Sequence, residues 1–311
     1  MPDLNIAALN AELGAYYRQN RRDVLAKMYQ AEDARKYFNV VSGVQDEYVM
    51  TEMEIQEMTQ PYQSGWTPKG EATFRPEIIK ARGVKVDFPF TPKSLEATWI
   101  GYLKTNGSSP EEYPFVQYIY EKIVEKVARE VSSCTINGVY VAPTAGTAGG
   151  AATSFNGILK VVTDAITATK ITATVTGAIT SVNVVDKIEL LVDALPNEYR
   201  DQELTMLMSP SVARMYFRKR RADFGGNNDY KAGETLVDFT NVKIVTPRYM
   251  NGSSRLIVTK SDNLLMVEDG VNEEENILVQ ANRRQLEVMM DFKRGVGLGI
   301  IQDYVWANDQ A

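Results

Sequence analysis

Few residues in this sequence are equipped for catalysis, and the gaps narrow the field. It has no histidine and a single cysteine, Cys134. Without histidine the usual general base near neutral pH and the commonest metal ligand are both gone, so Ser-His-Asp and Cys-His mechanisms are excluded. One cysteine can form neither an internal disulfide nor a thiolate zinc site. Cys134 lies in an apolar helical row and reads as a small core residue rather than a nucleophile. Catalytic residues, metal and cofactor are therefore all expected to be absent.

Three other stretches invite a chemical reading. The glycines of "GVGLG" (295–299) lack the lysine and helix start of a phosphate loop or dinucleotide fingerprint, and read as a strand packed close to another backbone. The acidic runs "VEDG" (267–270) and "NEEEN" (272–276) lack the alternating Asp/Asn spacing of a calcium loop, so a solvated charge run is the expectation. The basic cluster "RMYFRKRRADF" carries Arg214, Arg218, Lys219, Arg220 and Arg221. Helical spacing puts Arg214, Arg218 and Arg221 on one side. Nucleic-acid contact and ion pairs to an acidic neighbouring subunit are both open, with the second favoured by arginine's suitability for interfaces. The net charge of −6 argues against a chain that coats nucleic acid throughout.

The elements that position these residues come next. At 311 residues the chain is long enough for more than one compact unit. No run of about eighteen apolar residues suggests a membrane span, and the N-terminus lacks a secretory pattern, which points to a cytoplasm. Residues 5–30 show helical spacing, as an arm or as the first helix of a domain. Residues 48–98 read as extended structure with proline and glycine punctuation, a long hairpin with its tip at 65–70 or at 81–83. Val84, Val86, Phe88 and Phe90 form its covered face, and its prolines suit an edge strand. A helix then starts at the Ser109 cap with Pro110 and runs about 40 Å to Ile136. Its apolar stripe is Ile119, Ile123, Val127 and Val131, and Gly138 is expected to end it with positive φ. "TDAITATKITATVTGAITS" reads as a surface strand, a hairpin or disorder. Helices are expected on Val185, Ile188, Leu191, Val192 and Leu195, and again after the Ser209 cap. Strands dominate from Thr235, with two long ones broken near Arg294-Gly295.

The order of these segments, with "VKVDFPFTPKSLEATWIGYL" leading into a helix that ends in "INGVY", "LPNEYRDQELTMLMSPSVARMYFRK" and "TNVKIVTPRYMNGSSRLIVTKSDNLLMVEDG", resembles the Hong Kong 97-like major capsid proteins of tailed bacteriophages, particularly those of Bacteroidetes-type hosts. The resemblance implies an α+β fold with an N-terminal arm (1–47), an extended β-hairpin loop (48–98), a peripheral domain with the spine helix (99–140) completed by C-terminal strands (271–311), and an axial domain (141–270). It implies subunit contacts through Trp66, Lys69, Phe74, Arg75 and Arg82 of the extended loop and through Arg214, Arg218, Arg220 and Arg221 of the axial domain. Some relatives weld subunits by a lysine-asparagine bond. Lys69 and Lys80 lie in the loop, but no partner is identified, and cross-linking is not expected.

The function this implies is non-enzymatic: hexamers and pentamers of one chain forming an icosahedral shell around double-stranded DNA. The implied partners are further copies of the chain, a scaffolding protein, a portal, decoration proteins and DNA on the inner face, with no membrane. The location would be the virion, after assembly in the host cytoplasm. Two alternatives stand beside it, an encapsulin-like compartment around a cargo enzyme and a carboxylate-based hydrolase, although no carboxylate pair is singled out.

Overall fold

The computed structural model describes residues 27–28, 30–91, 115–224, 235–238, 240–270, 277–283 and 285–310. Most of the expected N-terminal helix, the Ser109-Pro110 helix start and the 272–276 acidic run lie outside the described residues. The chain divides into two compact units, one of residues 1–45, 81–160 and 266–295, the other of residues 46–80, 161–265 and 296–311. No helix among the described residues is long and apolar enough to cross a membrane.

The first unit is built on helix α1 (Phe115–Asn137) and a five-stranded sheet. The sheet order is β1 (Asn39–Val41), β8 (Leu264–Glu268), β10 (Gln285–Leu298) and β4 (Arg82–Phe90), with β9 (Ile277–Asn282) also pairing with β10. Ile119, Ile123, Val127 and Val131 are all buried, together with Val124, Ala128 and Cys134. That is the broad stripe a 3.6-residue repeat makes of apolar residues three and four apart. Val127, Val131 and Cys134 share a small cleft with Val84, Val86 and Phe292, so this face of α1 rests on the β4–β10 part of the sheet. The opposite face carries the pairs Lys126–Glu130 at 3.0 Å and Arg129–Glu125 at 3.4 Å.

Gly138 does follow the helix, but not for the expected reason, since it lies outside the positive-φ region. Its N–H donates to Cys134 O at 2.7 Å, continuing the helical pattern. A Cβ there would stand 2.3 Å from Phe155 O and 2.5 Å from Cys134 O. The returning chain crosses at Gly157, whose N–H donates to Gly138 O at 2.9 Å. Close approach of two backbone segments, rather than a left-handed cap, requires this glycine.

Two further expectations are corrected in this unit. β10 runs unbroken through Arg294-Gly295, and the reversal lies earlier, at Arg283, whose φ is +57°. Phe88 is exposed rather than covered, although it stacks on Phe90 at 5.9 Å between centroids. β4 is nonetheless an edge strand, where Pro89 interrupts no interior ladder.

The second unit contains the four-stranded sheet β11 (Val305–Ala307), β7 (Ile257–Thr259), β5 (Leu204–Leu207) and β6 (Val242–Val245). β5 is parallel to β6 and antiparallel to β7. Helices α3 (Val184–Asp193) and α5 (Pro210–Phe224) flank the short α4 (Asn197–Arg200) in sequence. Ile188, Leu191, Leu195, Met206, Tyr216 and Val258 belong to one buried cluster. Ser209 caps α5 as expected, its Oγ accepting the Val212 N–H at 3.3 Å. The Thr-rich stretch departs from expectation, because its first part belongs to helix α2 (Ile158–Thr167). Buried Ile158, Val162 and Ala165 follow a spacing of four and three, a signal that the later Ile/Thr alternation hides.

The same unit holds the hairpin of β2 (Glu47–Ile55) and β3 (Ala72–Lys80), in register from Glu47↔Lys80 to Ile55↔Ala72. Its far end spans 56–71 and includes Gly70 at φ +91°, so the tip lies toward the first expected position. The alternative at 81–83 is overturned. Only Ala81 separates β3 from β4, too short a link for a reversal, and the chain continues extended into β4, which pairs with β10.

Candidate assembly surfaces

The hairpin has two chemically different faces because successive strand residues point to opposite sides. On one, Tyr48, Met50, Glu52 and Glu54 alternate inward with Arg75, Glu77 and Ile79. Gly297 and Gly299 make room for this face, meeting side chains rather than the expected second backbone. A Cβ on Gly297 would stand 2.5 Å from Ile79 Cγ1, and one on Gly299 2.8 Å from Met50 Sδ. Arg75 bonds to Glu54 and to Gln302, and Glu77 receives Lys170 Nζ at 2.6 Å. The Glu52 carboxyl is pushed up to about 7 by burial first and then by Asp303, whose carboxyl shares a hydrogen bond and a like charge with it, while Arg75 opposes the shift.

The other face is bare. Val49, Met53, Ile55, Phe74 and Ile78 are all exposed, and the register sets Val49 opposite Ile78 and Met53 opposite Phe74. Met58, Tyr62 and Trp66 extend the exposure into the end loop, with Trp66 92% exposed. A contiguous apolar patch of this kind marks an interaction surface far more often than isolated exposed residues do. Of the expected loop contacts, Trp66 and Phe74 therefore stand free, while Lys69 is tied back to Thr59 O at 2.9 Å and to Glu57 at 3.1 Å. Arg75 is occupied as described. Arg82 belongs to β4 and stacks on the Tyr140 ring at 4.2 Å. Alternation in "EYVMTEMEI" was available in the sequence, but nothing in it tells which face is covered.

The basic cluster on α5 also divides. Arg220 is buried, pairs with Asp238 and lies 5.5 Å from the Tyr216 ring, and Lys219 pairs with Asp223 at 2.8 Å. Arg214, Arg218 and Arg221 are exposed and form no ion pair among the described residues. Met215 and Phe217 pack partly against the core.

A charged cluster that sequence reading missed sits in the first unit. Arg294 is fully buried, with its guanidinium 3.4 Å from both Glu32 and Glu268. Arg35 grips Glu268 with two bonds of 2.6 and 2.8 Å, and Ser42 Oγ donates to the same carboxylate at 2.9 Å. Glu268, expected in a solvated run, is thus internal, and burial would raise its carboxyl but Arg35, Arg294 and Ser42 hold it below the usual range. Burial dominates at Glu32, which is raised despite Arg294 and Arg35. The adjoining segment is fastened by Gly43 N–H to Asp269 O at 2.8 Å and Val44 N–H to Glu268 O at 3.0 Å. This arrangement ties the 32–44 segment to β8 and β10. Among the described residues no group of three or more acidic, cysteine or histidine side chains is placed to hold a metal.

No protein-family profile and no curated protein matches the chain. Solved structures do. A chain of the satellite phage P4 procapsid, which includes a size determination (Sid) protein, aligns with a TM-score of 0.60 at 13% identity, over 92% of this chain and 89% of that one. The capsid of the native GTA particle gives 0.55 at 12% identity, over 89% and 96%. The capsid of the Myoviridae phage XM1 gives 0.51 at 12%, over 88% and 89%. At these identities the likeness is one of fold, and it puts this α+β chain in the Hong Kong 97-like fold of phage capsid proteins.

Proposed function

We propose that the chain is a major capsid protein of a tailed phage, a structural subunit rather than an enzyme, which assembles into the hexamers and pentamers of an icosahedral shell around double-stranded DNA. The observation that carries this reading is the bare apolar face of the β2–β3 hairpin, in a chain whose fold is shared over most of its length with shell-forming proteins. An isolated subunit gains nothing from that face, whereas symmetry repeats the same contact at every copy. The unit holding α1 and the five-stranded sheet takes the peripheral role, and the unit holding the four-stranded sheet the axial one. The hairpin is the extended loop laid on a neighbour, with Trp66 and Phe74 as contacts. Arg214, Arg218 and Arg221 face another subunit, while Lys69, Arg75, Arg82 and Arg220 hold their own elements in place. A scaffolding protein, a portal and decoration proteins are the partners such a shell uses, with DNA on its inner face, assembly in the host cytoplasm and residence in the virion.

Electron microscopy of the purified chain, with and without its scaffold, tests this. Capsomers or closed shells are expected. Monomers that persist under every assembly condition would sink the reading.

A further inference from the structure

The three free arginines of α5 have a counterpart elsewhere in the same unit. α3 exposes Asp186, Glu189 and Asp193, and the segment after it exposes Glu198, Asp201 and Glu203. The charges acting on Glu189 are those of Asp186, Asp193 and Asp238, which raise its carboxyl after burial does, and none of the α5 arginines is among them. The acidic face is therefore not neutralised by the basic one within a single copy. Spacing adds a geometric match. Arg214, Arg218 and Arg221 lie four and then three residues apart, and Asp193, Glu189 and Asp186, taken in reverse, repeat that order. Each row covers about 10 Å of helix at 1.5 Å per residue. Two helices laid antiparallel would bring Arg214 to Asp193, Arg218 to Glu189 and Arg221 to Asp186.

We propose that α5 of one copy docks antiparallel on α3 of a second copy through these three charge pairs. The contact rests on the shell-forming reading above and says which faces meet. α3 and α5 pack against each other within one copy, but their charged rows are not paired there, so each copy can use both, and a head-to-tail contact of this kind makes a ring where its rotation closes. A second copy is favoured over nucleic acid because DNA would offer no reason for the matched acidic row. Exposed ion pairs are individually weak and screened by salt, so their part is to steer copies and fix orientation, with wrong, like-charged pairings rejected.

Charge reversal tests the pairing. Two variants are made, one with Arg214→Glu, Arg218→Glu and Arg221→Glu, the other with Asp186→Lys, Glu189→Lys and Asp193→Lys, with soluble folding checked by circular dichroism. Each alone is expected to lower capsomer yield at least tenfold at low salt. The chain carrying all six substitutions is expected to recover, and a mixture of the two variants to form rings of six but not of five, since opposite chains must alternate. A six-fold variant that assembles no better than either triple variant overturns the proposal. So does an arginine-reversed chain that forms normal shells and fails only to package DNA, which would assign this face to nucleic acid. Failure of the unsubstituted chain to assemble at all would instead overturn the shell reading, and this contact with it.

Discussion

Helix α1 and the β2–β3 hairpin are both amphipathic and both rich in large apolar residues, yet they end in opposite states. Every member of the α1 row Ile119, Ile123, Val127 and Val131 is buried within its own unit, whereas Val49, Met53, Ile55, Phe74 and Ile78 stay in solvent. One element stabilises the fold of its own chain, and the other leaves its apolar area in solvent, the area that the proposed assembly would cover. The charged residues show the same division. Arg294, Arg35, Glu32 and Glu268 satisfy one another inside, while Arg214, Arg218 and Arg221 wait outside.

Substitutions should affect the two regions differently. Ile123→Asp puts an uncompensated charge into the buried row and should abolish soluble folding, seen as loss of the chain from the soluble fraction. Arg294→Ala removes the ion-pair partner of buried Glu32, while Glu268 keeps Arg35 and Ser42, and breaking a buried pair in this way costs about 3–5 kcal/mol. Denaturant unfolding should report it. If unfolding is unchanged, the cluster does not hold the 32–45 segment.

The hairpin should respond to pH instead. Glu52 titrates near 7 in the folded chain against an ordinary value of 4.5, so it binds a proton more tightly when folded. Its contribution is fully present below about pH 4.5 and is lost as pH rises through about 7. Protection of β2 and β3 against hydrogen exchange, after correction for the intrinsic pH dependence of exchange, should fall across that window, and Glu52→Gln should flatten the response. A window of the same size in the variant would assign the titration elsewhere.

Met53→Ser with Phe74→Ser should change subunit unfolding by no more than about 0.5 kcal/mol, as expected of surface positions, while suppressing shell formation in the microscope. A large loss of subunit stability would mean that the outer face is covered within the chain. Glu125→Gln removes a helix-surface pair with Arg129 and should cost about 0.5 kcal/mol or less, a shift near the limit of a thermal melt.

Local repetition made much of this molecule readable in advance. The α1 stripe, the buried row of α3 and the Ser209 cap all follow from spacings within a few residues of chain, which a helix converts directly into one face or one end. The alternation read at 84–90 marked a strand, but one that belongs to β4 beside β10 and not to the hairpin. What escaped was whatever depends on another segment. Glu268 looked like part of a solvated run because its partner Arg35 lies 233 residues away, and Arg294 looked like a strand break because Glu32 lies 262 residues away.

The absence of histidine chemistry and the helical rows follow from composition and period, which are properties of the chain alone. That Gly138 serves a backbone crossing with Gly157, that β4 leaves the hairpin to pair with β10, and which hairpin face stays bare came from folding. Each of these depends on what packs across the gap, and a one-dimensional pattern specifies the faces of an element without specifying its neighbour.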